Sequence, residues 1–368
     1  MSNHLSSIIG QKRVIDTLQK FINSQNIPHA ILFSGTRNVG QHHVAKQFLK
    51  ELLSINNPEK NYSLKIDKLE EPFIKYVIPL PRGKSETPDD MPLAKLTSAD
   101  LEELKEELDK KINNPFYEIS LEKANNIKIN SIREIKKYLT INYDELPYRL
   151  VIIEDAHLMS GEAQNALLKS LEEPPNGVIF ILITDKPDML LTTTKSRCWE
   201  LPFTSLSDGD IEYILINSFK LDIQEVKKVI PFANGSIHRV FVLLNYGFEN
   251  LLEATINILR YSMGKKYNTV IKLINTTIDE NPKAIVPILI ELMITWFNDV
   301  QKAKAGIENI QFAQYEDTIQ KFISKFNDVE LDEIIFKLTN LSKNIDYNVN
   351  LNLLILNIIF NLSALSKR

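Results

Sequence analysis

The chain contains 368 residues, of which 44% are hydrophobic and 24% are charged, and this length predicts about two or three globular domains. Its formal net charge of -4 provides no overall attraction to nucleic acid, so any contact with DNA has to be local or made through a partner. The single cysteine, Cys198, excludes an internal disulfide and a cysteine-rich zinc module, and we expect a cytoplasmic protein.

The first predicted elements are a helix, a buried strand and a second helix. Residues 14–22 carry apolar side chains at helical spacing. Residues 30–35, AILFSG, form a compact apolar run that ends in a glycine, as in a buried strand that leads into a turn. Helical spacing resumes from Val44, so this region has the strand, turn and helix of a phosphate-binding loop.

The turn nearly matches a phosphate-binding loop in sequence as well. Such a loop is written G-x-x-x-x-G-K-[ST]. The stretch SGTRNVGQHH, residues 34–43, places Gly35 and Gly40 at the required spacing, but Gln41 and His42 stand where the lysine and the hydroxyl residue belong. The loop therefore has the glycines that shape the turn and lacks the side chains that hold phosphate and Mg²⁺.

The next segment, from about residue 56 to residue 114, is rich in proline and includes the charged stretch DLEELKEELDKK. We predict that it is an insertion, a surface excursion with one solvated helix.

Regular alternation of helices and strands follows the insertion. INSIREIKKYL predicts a helix, RLVIIEDAH a second buried strand that ends in two acids, GEAQNALLKSLEE a helix stopped by a proline pair, and VIFILIT a third strand. This alternation predicts an α/β domain with a parallel sheet over residues 1–204. Helical periodicity dominates afterwards, and we divide it into a small helical domain, 205–247, and a larger helical bundle, 248–368.

Together these motifs resemble a known family. The loop at 35–42, the strand VIIEDAH, the strand VIFILIT and the tripeptide Ser196-Arg197-Cys198 lie at the spacings of an AAA+ ATPase of the clamp-loader type, and residues 154–198 are similar to that family nearly throughout. The chain resembles the clamp-loader AAA+ family of bacterial DNA polymerase III, which includes the gamma/tau and delta-prime subunits. The resemblance implies a RecA-like P-loop domain, an all-α lid and a C-terminal helical collar.

The loop departs from the family at three positions. Asn38 stands where the family usually has a glycine, although asparagine tolerates left-handed backbone better than most residues. Gln41 carries no charge, and His42 lacks the short hydroxyl that a magnesium ligand needs. Bonds to charged groups contribute about 1.5 to 3 kcal/mol against about 1 kcal/mol for neutral ones, so phosphate binding and catalysis are weakened.

The rest of the implied nucleotide pocket departs as well. Active family members end the second strand in Asp-Glu, whereas this chain has Glu154-Asp155, and solvated acids at a strand end are an equally good interpretation of this pair. His238, followed by Arg239, occupies the place of the arginine that senses nucleotide. Thr184 occupies the other sensor-like place. The resemblance therefore implies a degenerate pocket that is not used for hydrolysis.

Ser196-Arg197-Cys198, by contrast, is intact. In the family this arginine reaches the ATP site of a neighbouring subunit as an arginine finger, which raises hydrolysis rates by about 10³ to 10⁵ where measured. Without the surrounding match, Arg197 would be interpreted as a surface arginine. A degenerate pocket with an intact finger is the delta-prime pattern, so we expect no ATPase activity from this chain by itself.

The resemblance also implies partners and cofactors. We expect gamma/tau-type and delta-type subunits in a hetero-pentameric ring, contact with the sliding clamp and primer-template DNA through that assembly, and no membrane. No cofactor is expected, because ATP would be bound by partner subunits, and neither zinc nor another metal is predicted. Two alternatives stay open: a gamma/tau-type subunit that hydrolyses ATP, and an AAA+-shaped interaction module outside the replisome.

Four basic residues in and near the predicted helix INSIREIKKYL allow two interpretations. They are candidates for direct contact with DNA, and a solvated helix face is the alternative that we favour. These residues are Lys128, Arg133, Lys136 and Lys137.

Overall fold

The computed structural model describes residues 4–141, 143, 145–278, 282–344 and 350–367. It divides into two compact units. The first comprises Met1–Phe219 with Gly235–His238, and the second comprises Lys220–Asn234 with Arg239–Arg368. The division at residues 204 and 247 stays a prediction, and residues of the predicted lid, 205–247, belong to both units.

The first unit is built on a parallel sheet of five strands in the order β2-β3-β4-β1-β5. Strands β1, β3 and β4 consist of buried residues almost throughout, because helices cover both faces of a parallel sheet and leave little room for polar side chains. The predicted α/β fold class is confirmed. The strands are β1 (Ala30–Gly35), β2 (Ile74–Val77), β3 (Arg149–Ile153), β4 (Val178–Thr184) and β5 (Trp199–Phe203).

Helices of the first unit connect these strands. One core lies between the sheet and helices that carry apolar stripes, with Ile132, Ile135, Leu167 and Leu171 packed against alternate residues of the central strands. The helices up to residue 219 are α1 (Lys12–Asn23), α2 (Gln41–Asn56), α3 (Ser63–Asp67), α4 (Ser98–Asn113), α5 (Ile129–Thr140), α6 (Gly161–Glu172), α7 (Thr192–Lys195) and α8 (Asp208–Phe219).

The rest of the described chain is helical. In the second unit α11 packs against α12, α13 and α16, and α13 packs against α14 and α15. The bounds are α9 (Ile223–Val229), α10 (Ile237–Asn245), α11 (Phe248–Met263), α12 (Tyr267–Ile278), α13 (Pro282–Lys304), α14 (Glu316–Lys325), α15 (Leu331–Asn344) and α16 (Leu351–Ala364).

Helix α13 is the core helix of this unit. By length and composition its Ala284–Lys304 part is apolar enough to cross a membrane. However, 67% of the 18-residue stretch that meets this criterion is buried inside the structure. Trp296, at its centre, is 1% exposed and packs edge-on against Phe297 and Phe322. The apolar surface of α13 is therefore largely covered by its neighbours in the unit.

The prediction for the insertion, residues 56–114, is wrong in two respects. Part of it is not a surface excursion, because Ile74–Val77 forms β2 and pairs in parallel with β3. Helix α4 is not fully solvated either, since Leu104, Glu107 and Lys111 are buried. The sequence IKYV carries a lysine and a tyrosine within four residues, as an edge strand tolerates, so it lacks the apolar run that marks the central strands.

Candidate functional site

The sheet register gathers the ends of three strands at one edge. Ser34 of β1 lies opposite Thr184 of β4, and Ile153 at the end of β3 lies opposite Leu182. The residues that follow β1 and β3 therefore meet Thr184 at the carboxyl edge of the sheet, where open α/β sheets bind their ligands.

The loop after β1 has the backbone of a phosphate-binding turn. Gly35 has φ 110° and Gly40 has φ 107°, both in the region that favours glycine. A Cβ atom on Gly35 would overlap the backbone of Phe203 on β5. Asn38 has φ 57°, so it adopts the left-handed conformation without being a glycine. The loop thus has the backbone of such a turn, with Gln41 and His42 at the positions where the motif has its lysine and hydroxyl residue.

The side chain of Gln41 fills the inside of the loop. Its Nε2 donates a hydrogen bond to the carbonyl oxygen of Thr36, and its Oε1 accepts one from the backbone N–H of Val39 at 3.1 Å. The residue is 4% exposed. A backbone N–H that would face a phosphate oxygen in a working loop is thus satisfied by this chain's own amide.

The first acid of the predicted pair, Glu154, is held by side chains from the insertion. Its carboxylate accepts a hydrogen bond from the hydroxyl of Tyr76 at 2.8 Å and one from Lys111 Nζ at 3.4 Å. His42 Nδ1 lies 3.4 Å from Glu154 Oε2. Burial lowers the pKa of His42 to about 3, so its ring is neutral. Burial alone would raise the pKa of Glu154, but Lys111, His42 and Tyr76 hold it well below its ordinary value.

The second acid, Asp155, belongs to a separate network. Arg37 Nη2 donates to both of its carboxylate oxygens, at 2.9 and 3.1 Å, and lies 3.2 Å from Glu118. Glu118 accepts from the Asn38 amide at 2.5 Å, and its own backbone N–H donates to His238 Nδ1 at 3.3 Å. Burial, together with nearby carboxylates, raises the pKa of Asp155 to about 6 against the opposing effect of Arg37. This network links Asn38, Asp155 and His238 through charges of the chain itself.

Thr184 makes a buried contact at the same edge. Its hydroxyl lies 2.9 Å from His157 Nδ1. In the part of the chain that the structure describes, Asp155, His157 and Asp185 form a group whose ligand atoms lie within 4.8 Å of one another. Because Asp155 is already engaged by Arg37 and exposed acids often cluster without a metal, we assign no metal site there.

Arg197 lies elsewhere. It precedes β5, which runs parallel to β1, so it stands at the amino edge of the sheet, opposite the loop. Its Nε donates to Glu172 Oε1 at 2.5 Å, its Nη2 also pairs with Glu172, and its Nη1 donates to the carbonyl oxygen of Thr193 at 2.7 Å. The side chain is 32% exposed. Arg197 therefore lies apart from the residues gathered at the carboxyl edge of the sheet and is accessible at the surface.

The predicted residues thus separate into two places. The carboxyl edge gathers all of them except Arg197. Neighbouring Cys198 packs against the core, and burial raises the pKa of its thiol to about 12, which fits a packing residue rather than a nucleophile. The gathered residues are Gly35, Asn38, Gly40, Gln41, His42, Glu154, Asp155, Thr184 and His238.

Sequence reasoning missed four residues of the site at the carboxyl edge: Arg37, Tyr76, Lys111 and Glu118. Arg37 lies at a variable position of the loop motif, and the other three belong to no motif and lie in or just after the region that was predicted to be an excursion. The alternation of apolar and polar residues around a short strand is the signal that could have indicated Tyr76. Nothing in the local sequence indicates Lys111 or Glu118.

Two of the basic residues weighed for DNA contact are engaged within the chain. Lys128 Nζ is nearly buried and donates to Glu86 and to the carbonyl oxygens of Pro81 and Pro92. Arg133 donates to Asp89 at 2.6 Å. The interpretation of Lys128 as part of a solvated face is therefore wrong, because its ammonium group anchors the insertion. Lys136 and Lys137 are exposed.

Models of known protein families match this sequence. The sequence model of a family described as DNA polymerase III, delta subunit, matches residues 10–207, and that of its C-terminal domain matches residues 250–364. DNA polymerase III subunit gamma of Buchnera aphidicola is 29% identical over 247 residues, which are 66% of this chain and 58% of that protein. Subunit tau of Bacillus subtilis is 25% identical over 65% of this chain and 36% of its own length.

The chain spans less than two thirds of the length of these two relatives. A solved structure from Thermotoga maritima, described as a gamma subunit-related protein, aligns over 95% of this chain and 99% of its own. Its sequence identity is 16% and the TM-score is 0.44.

Proposed function

The chain belongs to the DNA polymerase III, delta subunit, family, and on that premise we propose that it is a non-catalytic, delta-prime-like subunit of a bacterial clamp loader. In this proposal it supports the ATP-dependent loading of the sliding clamp onto primed DNA during replication. It hydrolyses no ATP by itself, and it supplies Arg197 to the ATP site of a neighbouring subunit.

The occupied loop is the observation that carries the proposal. A phosphate would have to displace both hydrogen bonds of Gln41 and would find no lysine at that position in return. Arg37, a cation within the loop, is engaged by Asp155 and Glu118. A charge-assisted hydrogen bond contributes about 1.5 to 3 kcal/mol, so the exchange is unfavourable for a nucleotide.

The place of Arg197 supports the second half of the proposal. An arginine finger acts on the γ-phosphate of another subunit, so it has to stand at a surface and away from its own loop. Arg197 meets both conditions, since it is partly exposed and precedes β5 at the edge opposite the loop.

A gamma/tau-type subunit that hydrolyses ATP is the second candidate. The observation that favours it is the identity of the matched relatives, which are described as subunits gamma and tau. The two candidates differ in what the purified chain does with Mg-ATP. An interaction module outside the replisome differs from both, because it would not assemble with clamp-loader subunits.

Nucleotide binding by the purified chain is the first test. Titration with Mg-ATP, followed calorimetrically, is expected to show no saturable binding, and a phosphate-release assay is expected to show no turnover. Micromolar binding accompanied by turnover would overturn the non-catalytic assignment in favour of the gamma/tau-type alternative.

Reconstitution of the loader is the second test. The Arg197→Ala chain is expected to assemble with gamma/tau-type and delta-type subunits and to lower the ATPase rate of the complex. Lys195→Ala is the matched control, because Lys195 is a cation at the same edge that pairs with the exposed Asp188 at 3.4 Å. Equal ATPase rates for loaders that contain Arg197→Ala or the unaltered chain would contradict the assignment of Arg197 as a finger. Failure of the unaltered chain to assemble with the other subunits would favour the interaction module.

The proposal also covers the partners, the cofactors and the cellular location of the chain. Its partners are gamma/tau-type and delta-type subunits in a hetero-pentameric ring, with the sliding clamp and primer-template DNA contacted through that ring. ATP is bound by the partners, and this chain needs neither zinc nor a cofactor of its own. As a replication protein of this family it acts in the cytoplasm.

A further inference from the structure

Each nitrogen of the Arg197 guanidinium faces an acceptor of its own chain. Nε and Nη2 face the carboxylate of Glu172, and Nη1 donates to the carbonyl oxygen of Thr193, four residues earlier. Glu172 is the last residue of α6, and Thr193 lies in α7, which packs against α6. The side chain is thus docked along two helices of its own chain instead of being extended.

The carboxylate also neutralises the charge that a finger has to deliver. A guanidinium in side-on contact with a carboxylate offers little net positive charge to a second anion. Nε and Nη2 both contact one oxygen of that carboxylate, Oε1, and an oxygen of a γ-phosphate that gains charge during hydrolysis is an anionic acceptor of the same kind. Glu172 and the phosphate of a neighbour therefore compete for the same edge of Arg197.

We propose that Glu172 is a positioning residue that holds Arg197 docked until the phosphate of a neighbouring subunit takes the place of its carboxylate. This inference rests on the proposed function, since it needs Arg197 to act on a neighbour. It assigns a role to the first glutamate of the LEEPP stretch, for which helix termination before Pro174 is otherwise sufficient.

Exposure makes the docked contact easy to exchange. Arg197 is 32% and Glu172 is 45% exposed, and exposed ion pairs of this kind shift an equilibrium by about five-fold at most. The docked state is thus favoured only slightly, and a doubly charged phosphate outcompetes it. Removal of the carboxylate is expected to raise the rate of hydrolysis by a similar factor.

The test uses the complete reconstituted loader with Glu172→Gln, which keeps the size and hydrogen-bonding oxygen of the side chain and removes its charge. We expect kcat for ATP hydrolysis to rise about two- to five-fold, the limit for an exposed pair, with KM for ATP unchanged, because the competition is felt when charge develops on the phosphate. Glu173→Gln, the same change at the exposed neighbouring residue, is the matched control.

A second background separates this role from a structural one. In the Arg197→Ala chain, Glu172→Gln is expected to have no effect on kcat, because the group through which it acts is gone. An unchanged or lower kcat for Glu172→Gln alone would overturn the inference, as would an equal increase in the Arg197→Ala background or with Glu173→Gln. If Arg197→Ala by itself changed nothing, the proposed function would fail first, and the two failures are thus distinguishable.

Discussion

Replacement of Lys111 by methionine is expected to destabilise the first unit strongly. Lys111 Nζ donates to the carbonyl oxygen of Tyr117 at 2.8 Å and to Glu154 Oε1 at 3.4 Å, and its side chain is 3% exposed. Methionine keeps the apolar stem and removes the charge. The change therefore leaves the Glu154 carboxylate in a mostly buried place without its cation.

The magnitude follows from the burial of the pair. Removal of one partner from a buried ion pair costs about 3 to 5 kcal/mol, because the remaining charge is left uncompensated. Glu154 is 17% exposed and keeps the hydrogen bond from Tyr76. We therefore expect a loss at the lower end of that range, about 3 kcal/mol.

The pH dependence has a definite sign. In the unaltered chain the pKa of Glu154 is held below its ordinary value of 4.5, so its contribution is fully present above that value and is lost as the pH falls. In Lys111→Met the burial of Glu154 is expected to outweigh its remaining partners and to raise its pKa, so the stabilising contribution of the ionised carboxylate is lost. The difference in unfolding free energy between the two chains is expected to be largest near neutral pH and to shrink towards pH 4.

Hydrogen exchange of peptides that cover β3 measures the stability of this unit, because β3 is buried and leads into Glu154. Lys105→Met, an exposed lysine on the same helix α4, is the control and is expected to change little. Glu154→Gln added to Lys111→Met is expected to restore much of the loss. A loss under about 1 kcal/mol, as for a surface pair, or a double variant no more stable than Lys111→Met, would refute the reasoning.

Three further predictions concern single contacts. Tyr76→Phe removes a hydrogen bond to a charged acceptor and is expected to cost about 1.5 to 3 kcal/mol in urea unfolding, whereas no loss would mean that water replaces the hydroxyl. Burial raises the pKa of Asp155 from 3.8 to about 6. The stabilising contribution of this carboxyl group is therefore present below pH 3.8 and is lost as the pH rises through about 6. Asp155→Asn should remove this pH dependence from the free energy of unfolding measured between those two values. Asp299 in the second unit is fully buried and accepts the backbone N–H groups of Gln311 and Phe312 at 2.8 Å, so Asp299→Asn should lower the melting temperature of that unit, and an unchanged temperature would contradict this assignment.

Much of the fold was predictable because its signals are local. The central strands are largely apolar runs, and a glycine, an acid or a threonine at the last position or directly after it marks the strand end in the sequence itself. Proline residues that follow Glu172 indicated the end of α6. Strand β2 lacks such signals, since it is four residues long and lies in a segment rich in proline and charge.

The candidate site was predictable in part for the same reason. A phosphate-binding loop is a contiguous motif, so the differences from it at Gln41 and His42 are visible without a structure. The contacts made by Glu154 are not, because Tyr76 lies 78 positions and Lys111 lies 43 positions away from it in the chain. Contacts between residues so far apart leave no periodic pattern in the sequence.

The sequence by itself determined which side chains are missing from the loop and that Arg197 is present. Only the tertiary structure decided what stands in their place: the Gln41 amide folded into its own loop, a lysine from α4 against the strand-end acid, and a glutamate docked on Arg197. For Gln41 and Glu154 the physical reason is that a buried polar group has to find a partner, and for the exposed pair of Glu172 and Arg197 it is the attraction between opposite charges. The packing of distant segments, which no local pattern records, determines which partner is within reach.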